Sequence, residues 1–431
     1  MALILASSFL PSCLALNINS LDSEITDEIS ELIESGDIPS LQLCVVSGEE
    51  KWIKGFGEQT DKDTVFLIGS IQKVFVAVSI LQLNEKGLIE LNDDINLYMP
   101  FSIRHPQYLD TPITIKMLLS HRSGLDGTLP SEFAYDWVDD NPTEWTRSFP
   151  EDLVGIPLEG WLELNLDDSG SLYSPSYWVR EPDTGYSYSN SGYKILMCIL
   201  ERVSGQSIQD YMDENIFTPL HMGHTGFDSI EFMGMHAIPH TRMYGNDTNI
   251  PLPVWNGRYM LRSSASDMGN LMMALMNDGV FGGSRILEAD SIKLMSTNTR
   301  RSIFFRELIR KLKTDGYGMG LEVCNHGLMG HGGSTVGFTG EIYFNPSKDV
   351  GFVRLSNVNA ILDYTSEGWR DIGYVTGQIR TKLLFKLGLL PFVDYIWLFP
   401  VTGSLIVLFR NRRRILENMN KRFDLGAKNS S

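Results

Sequence analysis

The chain has 431 residues, 43% of them apolar, and a net charge of −17. That is room for one large two-part catalytic unit or two ordinary domains around a sizeable core, and the acidity excludes a general nucleic-acid binder, whose phosphates would need Lys and Arg neutralisation. No fixed-period repeat stands out, which excludes solenoids and propellers.

Residues 1–20 open the chain with an uncharged run of apolar and small residues through Leu16. It resembles the core of a secretory signal, although the usual positive n-region is missing. Leu21 to Ser35 predicts an amphipathic helix, with Ile25, Ile29, Leu32 and Ile33 at helical spacing. Leu41 to Val46 and Trp52 to Phe56 flank Ser47-Gly48-Glu49-Glu50, a hairpin signal. Ser70 to Lys86 predicts a helix that is apolar on nearly every side and stops at Gly87, so it is expected to be buried. From Asn92 to Met276 the chain is rich in Pro, Gly, Tyr and Trp and reads as helices and long loops. Its clearest helices are Ser191 to Val203 and Ala265 to Asn277. Strand character returns beyond Tyr317, where Gly337 to Phe344 and Val350 to Ser356 flank a turn at Asn345 to Asp349. Strands at both ends and helices between them predict an α+β protein: an antiparallel sheet with flanking helices, a mostly helical lobe, and a cleft between the two.

Three segments carry residues fit for chemistry. Ser70 and Lys73, three apart on a helix, share a face. A serine hydroxyl is a weak nucleophile until a base takes its proton, and a lysine serves as that base when burial favours its neutral form. The spacing alone is cheap: Ser191 and Lys194 show it too. An N-cap serine and a lysine snorkelling to solvent would explain the first pair equally well. Tyr188-Ser189-Asn190 offers a phenol for proton transfer and an amide to hold a substrate, or else a plain turn. His331-Gly332-Gly333-Ser334 offers glycines that let backbone approach a substrate and an N–H for an oxyanion, or else a glycine turn.

Together and in this order, the three segments resemble the serine β-lactamase and penicillin-binding protein superfamily, in particular its class C-like branch with related esterases and D-aminopeptidases. Its pattern is Ser-x-x-Lys, then Tyr-x-Asn, then Lys-Thr-Gly or His-x-Gly on a strand. Thr64 to Gly69, Ile115 to Leu125 and Asn345 to Asn357 resemble its flanking segments, and the likeness covers about residues 24 to 382. The resemblance implies a β-lactamase/transpeptidase-like fold and a serine hydrolase acting through an acyl-enzyme on an ester, amide or D-amino-acid peptide bond. Ser70 would be acylated, and Lys73 and Tyr188 would share the acid and base work. Asn190 would hold the substrate amide and Lys73. The N–H groups of Ser70 and Ser334 would form the oxyanion hole, and Gly333 would be a substrate-binding residue beside them. His331 would stand near the leaving group or a substrate carboxylate, and His121 and Ser123 would be structural. His331 in place of lysine departs from β-lactamases proper and leans the expectation toward esterase or peptidase activity. Some superfamily members are sensors or assembling proteins instead; an intact motif set argues against a dead site.

No serine lies in a Gly-x-Ser-x-Gly elbow, and no Cys or His spacing reads as a metal site, so neither metal nor cofactor is expected. Cys44 and Cys198 lie in apolar stretches and read as small buried hydrophobes. Leu387 to Phe409 holds a single charge, Asp394, and is followed by Arg410, Arg412, Arg413 and Arg414. That run is long enough to reach across a bilayer, while Pro391, Pro400 and Gly403 favour an interfacial or buried segment. Arg300 to Lys313 is a second basic amphipathic piece, read first as a solvated surface helix. The expected organisation is a signal-like segment (1–20), a catalytic domain (21–385), a membrane-associated segment (386–412) and a basic tail (413–431), with the catalytic domain outside the cytoplasm.

Overall fold

The computed structural model describes residues 21–36, 38–57, 60–127, 129, 156–228, 231–242, 249–251, 259–299, 316–359, 379–384 and 386–389. The chain divides into two compact units, Met1–Ile379 and Arg380–Ser431. The signal-like segment, the basic piece at 300–313 and the apolar run beyond residue 389 lie outside the described residues. Among the described residues no helix is long and apolar enough to cross a membrane.

An antiparallel sheet organises the first unit. Helix α1 (Leu21–Glu34) leads into strands β1 (Ser40–Ser47) and β2 (Glu50–Gly57), paired as the expected hairpin. The chain returns to the sheet only near its end, through β3 (Gly316–Tyr317), β4 (Glu322–Val323), β5 (Met329–Thr335), β6 (Phe338–Asn345) and β7 (Val350–Ser356). The order across the sheet is β2-β1-β7-β6-β5-β4-β3, so the two ends of the unit meet at the β1–β7 seam, where Leu41 faces Ser356 and Ser47 faces Val350. Such distant pairing is possible because β1 (SLQLCVVS) and β7 (VGFVRLS) are buried along nearly their whole length and need covering on both faces. The outer strand β2 carries Lys51 and Lys54 and is mostly half-exposed, as suits an edge.

Three helices carry the rest of the framework. Helix α2 (Gln72–Glu85) is buried continuously from Lys73 to Leu83, as its all-round apolar sequence demands. Helix α3 (Asn190–Ser204) packs against it, and α4 (Ala265–Met276) crosses β1, β6 and β7. Gln42, fully buried in β1, fastens that crossing: its side-chain oxygen accepts from the Ala265 N–H at 2.7 Å, and its amide donates to the Thr64 carbonyl at 2.9 Å. A buried amide left unpaired would cost about 1–3 kcal/mol, so these bonds fix how the helix sits on the sheet.

The residue pattern alone did not mark β5 as a strand, although the resemblance set its His-x-Gly motif on one. β5 reads MGHGGST, without the alternating apolar pattern of a strand. It forms because β6 offers a full ladder of backbone partners, from Met329 opposite Phe344 to Thr335 opposite Phe338. The helical middle also contains short strand pairs, Phe66–Leu67 with Arg262–Ser263 and His240–Arg242 with Asn249–Pro251.

Candidate active site

Ser70 lies in a 3-10 turn, Gly69–Ile71, just before α2. No side chain caps the start of either helical piece, so Ser70 is not the N-cap its position suggested. Lys73, one turn on, is only 7% exposed and does not snorkel to solvent. Its ammonium lies 3.2 Å from the Ser70 Oγ and 2.7 Å from the Asn190 Oδ1, donating to both. The rings of Tyr188 and Tyr193 stand 4.9 and 5.6 Å from the same nitrogen, so aromatic faces supply part of the solvation it loses.

Asn190 owes its place to the cap of α3. The Ser189 hydroxyl accepts from the Gly192 N–H at 3.0 Å, and the Ser189 N–H donates to the His121 Nδ1 at 3.0 Å. His121 therefore carries its proton on Nε2, a buried atom without a partner among the described residues. Burial, then the charge of Lys73, holds its pKa well below the ordinary histidine value. The neutral ring packs 4.3 Å from the ring of Tyr188 and 4.7 Å from that of Tyr317. His121 thus sets the backbone between Tyr188 and Asn190 and gives Tyr188 a wall.

β5 closes the other side. A Cβ on Gly333 would fall 2.0 Å from the Ile68 carbonyl, and one on Gly69, at φ +52°, would fall 2.8 Å from the Ser334 nitrogen. Only glycine at both positions lets the strand backbone lie directly against the turn that carries Ser70. The Ser334 hydroxyl accepts from the Asn359 Nδ2 at 2.7 Å, and the same nitrogen donates to the Thr335 carbonyl at 2.7 Å. Asn359 anchors the end of this strand and carried no signal in the sequence.

The profile of the family described as Beta-lactamase matches residues 25–377. The chain belongs to this β-lactamase family. Protein flp of Staphylococcus aureus strain N315 is 25% identical over 356 residues, which cover 79% of this chain and 64% of flp, so the chain spans less than two thirds of that relative. The octameric penicillin-binding protein homologue from Pyrococcus abyssi superposes with a TM-score of 0.64 at 23% identity, over 82% of this chain and 77% of that one. The D-amino acid amidase from Ochrobactrum anthropi SV3 gives a TM-score of 0.61 at 21% identity, over 83% of this chain and 98% of the amidase. These neighbours place the fold in the β-lactamase/transpeptidase class.

Within the β-lactamase frame, His331 is placed differently from the sequence expectation. It is 1% exposed, and both of its ring nitrogens are bonded within the protein. Its Nδ1 donates to the Gly332 carbonyl at 2.6 Å, and its Nε2 accepts from the Tyr317 hydroxyl at 3.0 Å. Burial, reinforced by Lys73, pushes its pKa down to about 3, so it gives the cleft no positive charge. An imidazole is too short to leave this packing, which a lysine's four-carbon stem would escape.

A cavity of about 140 Å³ opens onto Ser70, with Lys73, Asn190 and Ser334 in its wall. One side is pinned by Gln72, whose amide donates to the Tyr259 carbonyl at 2.7 Å and whose oxygen accepts from the Leu261 N–H at 3.0 Å. Ser191, fully buried, is not part of this wall, although Lys194 is. The second Ser-x-x-Lys match therefore puts no serine in this wall. Gln72, Tyr259 and Lys194 escaped the sequence reading because only the fold brings them to Ser70. Among the described residues no group of three or more His, Cys, Asp or Glu is arranged to hold a metal.

Proposed function

We propose that this chain is a serine hydrolase working through an acyl-enzyme on Ser70, with an ester, amide or D-amino-acid peptide bond as substrate. The observation that carries the reading is the ammonium of Lys73, held between the Ser70 Oγ and the Asn190 Oδ1 inside a cavity. With Lys73 neutral, its lone pair takes the Ser70 proton while an N–H still donates to Asn190. Because the Asn190 oxygen faces Lys73, the Nδ2 side of its amide is what it offers a substrate carbonyl. Ser70 attacks, and the oxyanion is received by the N–H groups of Ser70 and Ser334. Lys73 and Tyr188 return a proton to the leaving group, and water then releases the acyl group by the reverse sequence.

The D-amino acid amidase that shares the fold supports amide and peptide substrates. The buried neutral His331 supports short esters and small D-amino-acid amides over penicillins, whose carboxylate finds no cation there. The test is mass spectrometry after fluorophosphonate treatment. A single adduct on Ser70 is expected, with Ser70→Ala losing about 10³-fold or more in kcat. An adduct on another serine, or a fully active Ser70→Ala protein, overturns the assignment. A kcat/KM for benzylpenicillin above that for p-nitrophenyl butyrate overturns the substrate preference.

We also propose that the run 387–409, with Asp394 its single charge and arginines after it, associates the protein with a membrane and leaves the catalytic unit on the non-cytoplasmic side.

A further inference from the structure

The short pairing of Phe66–Leu67 with Arg262–Ser263 runs on toward Ser70. Past its end, the Ile68 N–H donates to the Leu261 carbonyl at 3.2 Å. There the backbone of the first strand is lost, because Gly69–Ile71 forms the 3-10 turn that carries Ser70. The side chain of Gln72 takes over. Its oxygen accepts from the Leu261 N–H at 3.0 Å, and its nitrogen donates to the Tyr259 carbonyl at 2.7 Å. A carbonyl and an N–H on either side of one residue, here Met260, are the groups that a parallel strand would pair with. The Gln72 amide thus stands in for a peptide group of a neighbouring strand. Its nitrogen also lies 3.7 Å from the Sδ of Met197 on α3, another residue of the cavity wall. The segment so held is not a relaxed one. Tyr259 has φ +55°, in the left-handed region that is unfavourable for a side chain with a Cβ. Leu261 is buried, so loss of Gln72 would leave its N–H with little access to water.

We infer that Gln72, inside the Ser-x-x-Lys motif, is the positioning residue that fixes the width of the cavity beside Ser70, and so limits the acyl group to one unbranched chain. The inference rests on the acyl-enzyme reading with Ser70. Tyr188, which returns a proton to the leaving group in that chemistry, stands outside the cavity lining. The leaving group therefore departs on the Tyr188 side, and the cavity is left to the acyl group that stays bonded to Ser70. Tyr259, Met260 and Leu261 make one part of its wall, and Asn190 and Met197 of α3 make another. Gln72 ties the first part to the start of α2, the helix that bears Lys73. The volume of about 140 Å³ is close to that of an engineered cavity of about 150 Å³ that holds benzene, and is room for one chain of about four or five carbons but not for two. Without the amide, the strained turn at Tyr259 relaxes and the wall yields to a wider acyl group.

The experiment compares p-nitrophenyl valerate, with one propyl group on its α-carbon, and p-nitrophenyl 2-propylpentanoate, with two, using Ser70→Ala as the blank for spontaneous hydrolysis. The parent protein is expected to favour the valerate. Gln72→Met matches the length of the side chain and can hold neither backbone group. It is expected to cut the ratio of kcat/KM, valerate over branched ester, about tenfold or more, through the KM of the branched ester. Gln72→Glu still accepts from Leu261 but as a carboxylate cannot donate to Tyr259. It is expected to fall between the two, and it carries the test if the methionine variant does not fold. In parallel, hydrogen exchange read by mass spectrometry follows the peptide spanning Tyr259 to Arg262 in Ser70→Ala and in its Gln72→Met double variant. Faster exchange there, together with the reduced ratio, supports the inference. Both esters losing rate in parallel at an unchanged ratio, or unchanged exchange in that peptide, overturns it and leaves Gln72 a contributor to stability alone. Faster exchange with turnover of neither ester by the parent supports the held wall and overturns the hydrolase reading instead.

Discussion

At the scale of single residues, the site sets a buried lysine among neutral rings. Lys73 is held by two oxygens and two aromatic faces, while the nearby imidazoles of His121 and His331 are kept neutral. A neutral wall avoids like-charge repulsion around the lysine. It has a measurable consequence. The folded His331 takes a proton only near pH 3, whereas an unfolded histidine does so near pH 6.5. Between those values the unfolded chain binds more protons, so stability falls as pH drops from about 6.5 toward 3. Thermal melts over pH 7 to 4 should show a shallower decline for His331→Gln than for the parent protein; identical slopes would contradict a neutral buried ring. Tyr188→Phe keeps the ring against His121 and Lys73 and removes only the hydroxyl. It should lose about 10²-fold or more in kcat with little change in melting temperature, because the missing part is proton transfer. Near-parent kcat would leave the acid and base work to Lys73 alone.

At the scale of elements, β5 shows how a strand with poor strand chemistry is retained for what its backbone does. Its glycines weaken it as a strand, yet Gly333 is the residue that lets the strand meet the Ser70 turn. Gly333→Ala would place a methyl carbon 2.0 Å from the Ile68 carbonyl, so the strand must retreat. The Ser334 N–H would then miss the developing oxyanion, and kcat should fall about 10²-fold or more, the usual cost of one lost oxyanion donor. Steady-state kinetics beside far-ultraviolet circular dichroism would separate this from misfolding. Unchanged kcat with intact structure would remove Ser334 from the oxyanion hole. The motif His331-Gly332-Gly333 was visible in the sequence and the resemblance set it on a strand, but its own side chains do not show one, because the pairing energy comes from the backbone of β6.

At the scale of the whole molecule, the first unit is closed by the seam between β1 and β7, which joins residues about 300 positions apart in sequence, as Leu41 and Ser356 are. Truncation within that seam should abolish folding, while removal of the tail should not. A protein ending at Phe385 is expected to stay folded and to hydrolyse p-nitrophenyl butyrate from the soluble fraction. The full-length protein is expected in the membrane fraction, and its recovery as fully soluble after lysis would reject the anchoring proposal.

The sequence by itself determined the elements whose information is local. The buried α2 followed from an unbroken apolar run, the two hairpins from short apolar runs around polar turns, and the closeness of Ser70 and Lys73 from their spacing of one helical turn. Tertiary structure decided whatever depends on residues distant in the chain. It chose Ser70 over Ser191, because only the first Ser-x-x-Lys pair opens onto the cavity with both of its members. It also turned His331 inward onto Tyr317 and brought Lys194, Gln72 and Tyr259 to the wall beside Ser70. Periodicity reports which face of an element is apolar, but burial, charge environment and the facing partner of a side chain arise only when separate elements pack together.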